Sequence, residues 1–396
     1  MKVAVVSTAK TRGGAARIAL TLADGIQQLD QSVSVTFYHS EDNQQTDWIK
    51  GLKRPFSREI NAVLARLGGA RLVYDAGMAE QIISETREAD VLHLHNLHGY
   101  YLNYEKLVRA WKDRPIVWTW HDMWGATGRC GYSLDCIGWQ TGCLSCPHKQ
   151  YYPSAWLDFA AQEFKAKTEL FSQLPNLVVT SPSQWLADIA TARQIFKLPV
   201  EVIPNPVNTA AYQVLETKTA KTLLALDPDK KYLLFIAADC KNVNKGYNDF
   251  LQIIEQGQFN GLVVGVPPEN KSNRMIYAGA ISDAKELSNY YSAADLMIIT
   301  SKQDNYPNTV MESMACGTPV MGYAVGGIPS QLPPEWNGLV KLNNIQELIE
   351  KIMVYIADGG KSAELQKMFR QHVEKNADLT VISERYLGLY RKLFNN

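Results

Sequence analysis

The sequence predicts an α/β protein built from two doubly wound, parallel-sheet domains, and three observations carry that expectation. Short apolar runs alternate with helical patterns along the chain, as expected of strands buried between layers of helix. The alternation forms two series, separated by a proline-stiffened turn, Pro204-Asn-Pro-Val-Asn-Thr209. With 396 residues the chain is long enough for two or three domains, each with its own core. Two domains match the two series.

In the first series the strand candidates are Val3 to Val6, Val33 to Tyr38, Val91 to His95, Ile116 to Trp120, Leu177 to Thr180 and Val202 to Ile203, with a helix from about Ala15 to Leu29 after the first. The second series runs through Tyr232 to Ala237, Gly261 to Val266, Met275 to Ala278, Leu296 to Thr300 and Pro319 to Gly322. Polar Glu216-Thr-Lys-Thr-Ala-Lys221 follows the proline turn, and the hinge is placed there. The last segment, Leu379 to Phe394, reads as an amphipathic helix with Leu387, Leu389, Tyr390 and Phe394 available for packing. The expected domains are therefore 1–207 and 208–378, with a C-terminal helix over 379–396. Open α/β sheets bind ligands at the carboxyl ends of their strands, so the chemistry belongs in the strand-to-helix loops.

Composition excludes several classes. Forty basic and forty acidic side chains cancel, so no global charge argues for nucleic acid. No stretch approaches the roughly 20 apolar residues of a membrane span. The opening Met-Lys-Val-Ala-Val-Val-Ser-Thr reads as a strand running into a glycine turn, too brief for a signal-peptide core, and a cytoplasmic location is expected by default.

The most informative stretch is 301–328. Asp304 and Glu312 lie eight positions apart, one in a loop and the other on the helix that follows. Between them Asn305-Tyr306-Pro307-Asn308 suits a helix start, where unpaired N–H groups and the positive dipole end favour a phosphate. Glu312 is the lone charge in the apolar Val-Met-Glu-Ser-Met-Ala-Cys-Gly run. A buried carboxylate needs hydrogen-bond donors, and vicinal ribose hydroxyls would supply them, as would a core Arg or Lys. Carboxylate, phosphate cradle and second carboxylate together suit a nucleotide-sugar.

Other motifs stand in strand-to-helix loops. Gly13-Gly14 follows the first strand and would let the backbone approach a ligand closely, although a purely structural glycine turn fits as well. His121-Asp122 follows the Ile116 to Trp120 run, where a histidine can donate to a sugar hydroxyl or cap the core. His93 and His95 share a strand face with His98 beyond them, an arrangement suited to a structural role before a metal triad. Lys245-Gly246 ends the loop after Tyr232 to Ala237, so its ammonium would face a diphosphate or simply the solvent, with Lys241 adding charge nearby. Asn205, between two prolines, either fixes the turn or offers its amide to a ligand. Asp227-Pro-Asp229 reads as the turn before the second domain's first strand, not as a metal-binding Asp-x-Asp.

Two further segments shape the first domain. Cys130, Cys136, Cys143 and Cys146 follow Cys-x5-Cys-x6-Cys-x2-Cys in a glycine-rich loop over 125–150. A structural Zn²⁺, free thiols and disulfides all remain open, with His148 able to replace one ligand. Trp48 to Tyr74 holds six basic residues, Lys50, Lys53, Arg54, Arg58, Arg66 and Arg71, against Glu59 alone. Ile60, Val63, Leu64 and Leu67 follow helical spacing beside that charge, as in a helix lying on an anionic lipid surface or packed on its own domain.

Taken together, these residues resemble the retaining glycosyltransferases of family four, which have the GT-B fold. The likeness covers nearly the whole chain: Gly13-Gly14, His121-Asp122, Ser181-Pro-Ser183, Ile203-Pro-Asn-Pro-Val207, Lys245-Gly246, Tyr291-Ser-Ala-Ala-Asp295, Asp304 to Glu312 and Gly317-Thr-Pro-Val320. Thr-Gly128-Arg-Cys130 through Gly142-Cys-x-x-Cys-Pro147, with Asp304-Asn-Tyr-Pro307, is similar to bacterial exopolysaccharide transferases of the colanic-acid type.

The resemblance implies two Rossmann-like domains facing across a cleft, the first on the acceptor side and the second binding the nucleotide-sugar, with the C-terminal helix returning to the first. It implies metal-independent transfer, with retention, of a hexose from a UDP- or GDP-sugar to a lipid-linked glycan, in the cytoplasm or peripherally on the inner face of the membrane. Catalytic roles would fall to His121, Lys245 and Asp304. Substrate contacts would come from Gly13, Gly14, Asn205, Lys241, Lys245, Asn305, Tyr306, Asn308 and Glu312. Asp304-Asn305 stands where the family usually has Glu-Gly, so the reach to the sugar is shorter. No Arg precedes Lys245-Gly246, and Lys241 would substitute. These departures also suit a nucleotide-sugar binder that has lost turnover.

Overall fold

The computed structural model describes residues 1–42, 45–52, 58–68, 77–99 and 101–395. The chain forms two compact units, Met1–Pro204 with Ile382–Asn396, and Asn205–Val381.

The first unit contains a parallel seven-stranded sheet made of β1 (Lys2–Ser7), β2 (Ser34–His39), β3 (Ile49–Gly51), β4 (Val91–Leu94), β5 (Ile116–Thr119), β6 (Leu177–Ser181) and β7 (Glu201–Val202), in the order β3-β2-β1-β4-β5-β6-β7. The order reverses between β1 and β4, the switch point at which such sheets open a crevice. Residues Val3 to Val6 are buried on both faces of the sheet, which explains an uninterrupted apolar run in place of an alternating one. From Ile382 onward the helix Leu379–Phe394 belongs to this unit: Ile382, Tyr386, Leu387, Leu389 and Tyr390 pack with Val3, Val5, Ala19 and Val35. Phe394, expected to pack, is exposed.

The second unit repeats the plan in six strands, β8 (Tyr232–Asp239), β9 (Asn260–Val266), β10 (Met275–Gly279), β11 (Leu296–Ile299), β12 (Val320–Tyr323) and β13 (Leu339–Val340). All pair in parallel in the order β10-β9-β8-β11-β12-β13, with the reversal between β8 and β11. Beneath β8 the buried Asp295 carboxylate accepts hydrogen bonds from Lys221 at 2.9 Å, Lys231 at 3.0 Å and the Tyr232 backbone N–H at 3.0 Å. This network ties the segment after the hinge to the sheet. Among the described residues no helix is long and apolar enough to cross a membrane.

Candidate functional site

In the second unit the loops leaving β8 and β11 meet at the switch point. The Lys245 ammonium lies 2.6 Å from Asp304 Oδ2, and Ser301 Oγ donates to the same oxygen at 3.3 Å. Their backbones are clipped together as well. Thr300 Oγ1 donates to the Gly246 carbonyl at 2.9 Å, and Asn244 Nδ2 donates to the Gln303 carbonyl at 2.7 Å. Gly246 adopts a positive φ of 72°, and a side chain there would collide with the Thr300 carbonyl. Gly246 is therefore required by the approach of two loops, which a surface turn would not demand.

Asp304 is held from its other side by Gly326-Gly327. The Gly327 N–H donates to the Asp304 carbonyl at 3.1 Å, and a Cβ on Gly326, at φ 56°, would strike that carbonyl. Asn205 Nδ2 donates to Asn308 Oδ1 at 3.2 Å and to the Tyr306 carbonyl at 3.4 Å. It thus fixes the loop into the helix Asn308–Ala315, whose N-terminus carries no side-chain cap. Asn305 and Tyr306 are buried beside it.

Glu312 is buried on that helix, and its Oε2 accepts a hydrogen bond from the Tyr291 phenol Oη–H at 2.7 Å. The tyrosine is the donor that the sequence reading did not supply. Burial, then the neighbouring Glu312 charge, raises the Tyr291 phenol well above its ordinary value, so it stays protonated and donates. Lys241 is exposed and lies 3.5 Å from Glu269. It lines a cavity with Asn242, Gly246, Tyr247, Asn270 and Lys302, on the loop that carries Lys245.

In the first unit Gly13, at φ 97°, starts the helix Gly14–Leu29 without a side-chain cap. The preceding loop is held by Glu41, whose Oε2 accepts from the Lys10 and Thr11 N–H groups at 2.8 Å each. Across the switch point, Thr8 Oγ1 lies 2.9 Å from the His98 carbonyl and 3.0 Å from that of Asn96. The loops after β1 and β4 are thereby joined.

His121 follows β5 and forms a hydrogen bond through Nε2 with His95 Nδ1 at 2.8 Å. Burial pushes its pKa down to about 4 against the opposing pull of Asp122, so it is neutral near pH 7. Asp122 accepts from His98 Nε2 at 2.9 Å and from the Trp124 N–H at 2.9 Å. Burial opposes its ionisation, but the His98 charge and hydrogen bond together with the Trp124 N–H hold the carboxyl below its ordinary value. His93 is structural: its two ring nitrogens engage Tyr390 at 2.6 Å and Thr119 at 2.7 Å.

The four clustered cysteines line one small pocket with Thr127, Arg129 and Trp139. All four are free thiols, and among the described residues no three His, Cys, Asp or Glu side chains are grouped to hold a metal. Zinc at Cys130, Cys136, Cys143 and Cys146 stays an expectation from the sequence spacing. The thiols are engaged separately: Cys143 Sγ accepts from the Gly128 N–H at 3.1 Å, Cys136 Sγ from the Gly138 N–H at 3.4 Å, and Cys146 Sγ from Arg129 at 3.6 Å. Burial raises the Cys130 thiol to about 11, so it remains neutral. His148 pairs with Asp135 at 2.7 Å instead of joining the thiols.

Of the basic segment, Lys53, Arg54 and Arg71 lie outside the described residues, as do the side chains of Arg58 and Glu59. The helix Arg58–Gly68 buries Asn61 and Ala65 and exposes Ile60, Val63 and Leu67. Beside it the Trp156 N–H donates to the Arg66 carbonyl at 3.0 Å, and Tyr152, Trp156 and Leu157 are exposed.

Comparison with known proteins agrees with this architecture. The family described as Glycosyltransferase Family 4 matches residues 12–211, and that described as Glycosyl transferases group 1 matches 223–376. WcaC of Escherichia coli strain K12, which carries the description of a colanic acid biosynthesis glycosyl transferase, is 24% identical over 404 residues, covering 96% of this chain and 97% of its own. The N,N'-diacetylbacillosaminyl-diphospho-undecaprenol alpha-1,3-N-acetylgalactosaminyltransferase of Campylobacter jejuni is 27% identical over 184 residues, 43% of this chain and 47% of its own. Among solved structures, sucrose-phosphate synthase from Thermosynechococcus elongatus superposes with a TM-score of 0.72 at 18% identity, covering 100% of this chain and 99% of its own. Anabaena HepE in complex with UDP-glucose gives 0.67 at 15% identity, covering 99% and 100%. Both are similar in fold.

Proposed function

Since this chain belongs to glycosyltransferase family 4, we propose that it moves a hexose from a nucleotide diphosphate sugar to a hydroxyl of a lipid-linked oligosaccharide, with retention at the anomeric carbon. It is an enzyme of GT-B type, related in sequence to one described for colanic acid biosynthesis. The observation that carries the proposal is the Lys245–Asp304 pair, fixed by backbone contacts on both sides at the switch point of the second unit, with Glu312 on the helix that follows.

In this reading Glu312 receives the ribose hydroxyls while Tyr291 keeps it oriented. Lys245 and the open N-terminus of Asn308–Ala315 neutralise the diphosphate, and Asp304 accepts hydrogen bonds from the sugar. Asn305, Tyr306 and Asn308 shape the loop, and Asn205 holds it. Gly13-Gly14 is assigned a phosphate contact and His121 the reacting sugar. The bond from the anomeric carbon to the β-phosphate oxygen breaks and one to the acceptor oxygen forms on the same face. The acceptor's proton passes to the leaving phosphate, whose charge Lys245 and the helix stabilise. These groups need no catalytic metal, and Lys241 serves only as a peripheral charge.

A UDP- or GDP-sugar is the proposed donor class, and Anabaena HepE binds UDP and UDP-glucose. The lipid-linked acceptor is supported by the diphospho-undecaprenol in the Campylobacter enzyme's name. Exposed Ile60, Val63, Leu67 and Trp156 would rest on an anionic membrane surface on the cytoplasmic side. Binding to phosphatidylglycerol vesicles should weaken in an Ile60→Ser/Trp156→Ser double variant; equal binding would refute the membrane contact.

The test of the whole is donor turnover. Purified protein should hydrolyse one nucleotide sugar slowly and transfer it faster when a polyprenyl-diphosphate glycan is added, and Glu312→Ala should raise the donor KM strongly. Binding without hydrolysis or transfer would identify a nucleotide-sugar binder, and unchanged donor binding by the variant would remove the ribose assignment.

A further inference from the structure

We propose that His95 is a positioning residue that fixes the tautomer of His121, so that His121 meets its substrate as an Nδ1–H donor and not as a base. The catalytic part of this inference rests on the assignment of His121 to the reacting sugar. The structural part stands on the first unit alone.

The two rings are joined through His95 Nδ1 and His121 Nε2 at 2.8 Å, with their planes inclined by only 19°. One proton lies between two nitrogens, so one ring donates and the other accepts. Charging either ring is disfavoured. His95 is completely buried, and burial, followed by its neighbours His93 and His121, holds it well below its ordinary value. Two neutral arrangements remain.

If His121 donated through Nε2, neutral His95 would carry its own proton on Nε2. That atom is buried and meets no hydrogen-bond partner among the described residues. A buried N–H without an acceptor forfeits the hydrogen bond it had to water, a cost of about 1–3 kcal/mol, and orphaned donors are rarer in proteins than under-satisfied acceptors. If His95 donates through Nδ1, its Nε2 is a bare lone pair, and His121 must carry its proton on Nδ1. The second arrangement is the favoured one.

The surroundings hold His95 in this orientation. Its ring packs on His93 at 4.3 Å between centroids, and His93 is itself pinned by Tyr390 and Thr119. Beside His121, Asp122 is held by His98 Nε2 at 2.9 Å. Nδ1–H of His121 is then a fixed donor for a sugar or phosphate oxygen. It has no lone pair at Nδ1 to receive the acceptor's proton, in keeping with a leaving phosphate as the base.

Heteronuclear NMR of the ¹⁵N-histidine-labelled full chain at pH 7.5 reads the tautomer directly. His121 should show a protonated Nδ1 and an unprotonated Nε2, and the reverse pattern would overturn the proposal. Two variants supply the functional readout. His95→Asn keeps a donor near Nδ1 and should retain kcat within about tenfold, whereas His95→Asp presents only acceptors, draws the proton of His121 to Nε2, and should lower kcat about a hundredfold with little change in donor KM. Equal loss in both variants would overturn the donor role, and where His95→Asp does not fold, the wild-type spectrum and the asparagine variant decide. Full activity in His121→Ala together with the expected spectrum would overturn the catalytic half while locating the fault in the assignment of His121.

Discussion

Acidification should destabilise the first unit well before carboxylates titrate, because three of its histidines are buried neutral. Burial pushes His93 down to about 3 and His121 to about 4, and holds His95 well below its ordinary value. Unfolded, each has a pKa of about 6.5. The folded form therefore binds fewer protons than the unfolded form between roughly pH 4 and 6.5, and stability must fall as pH falls through 6.5. At pH 5.5 each histidine costs about 1.4 kcal/mol, or about 4 kcal/mol for the three, relative to a solution well above pH 6.5. For a unit of this size that lowers Tm by about 8–16 °C. Urea titrations across this window measure the proton uptake through the slope of unfolding free energy against pH. Three protons are expected, falling to two in His93→Gln, which should also be less stable at pH 7.5 because Thr119 and Tyr390 lose their ring partner. An uptake below one proton between pH 6.5 and 5.5 would show that the cluster is not buried neutral.

Other perturbations test the second unit. Gly326→Ala should displace the Asp304 loop and weaken donor binding at least tenfold in a calorimetric titration while the thermal transition persists, since the Cβ would strike the Asp304 carbonyl; full affinity would refute the close approach. Tyr291→Phe removes the donor to Glu312, which should lower stability by about 1–3 kcal/mol in denaturant titrations unless ribose is bound. Adding donor should recover part of the loss. Lys221→Ala leaves the buried Asp295 carboxylate short of a cation, and a loss of about 3–5 kcal/mol is expected by the same measurement.

Much of the fold could be read from the sequence because both sheets are buried on both faces, which writes their strands as continuous apolar runs. Two of the four edge strands, Ile49–Gly51 and Leu339–Val340, were missed, being three and two residues long with no run to recognise. The Lys245–Asp304 meeting was anticipated only as two separate loops. Their contact depends on β8 and β11 being neighbours, and nothing local in either segment encodes that adjacency. The same holds for His95 and His121, brought together by the pairing of β4 with β5. Tyr291 was quoted within a motif, but its hydroxyl became meaningful only once the helix carrying Glu312 was placed against it. The cysteine spacing left zinc, free thiols and disulfides open, and of these the structure speaks only to the disulfides, since the four thiols are unbonded to one another.

The return of the final helix to the first unit has a consequence for biosynthesis. The ribosome releases the chain in order, and the first unit's residues 1–204 emerge long before Tyr386 and Tyr390 exist. Until then the His93 and Thr119 side chains lack the phenols that satisfy them, and the apolar face shared by Val3, Val5 and Val35 is uncovered. The second unit, continuous over Asn205–Val381, is synthesised in full before that helix is. Nascent chains are thus expected to hold an unfinished amino-terminal half beside a finished carboxyl-terminal one, and a stop codon a few residues early would damage the end of the protein that was made first.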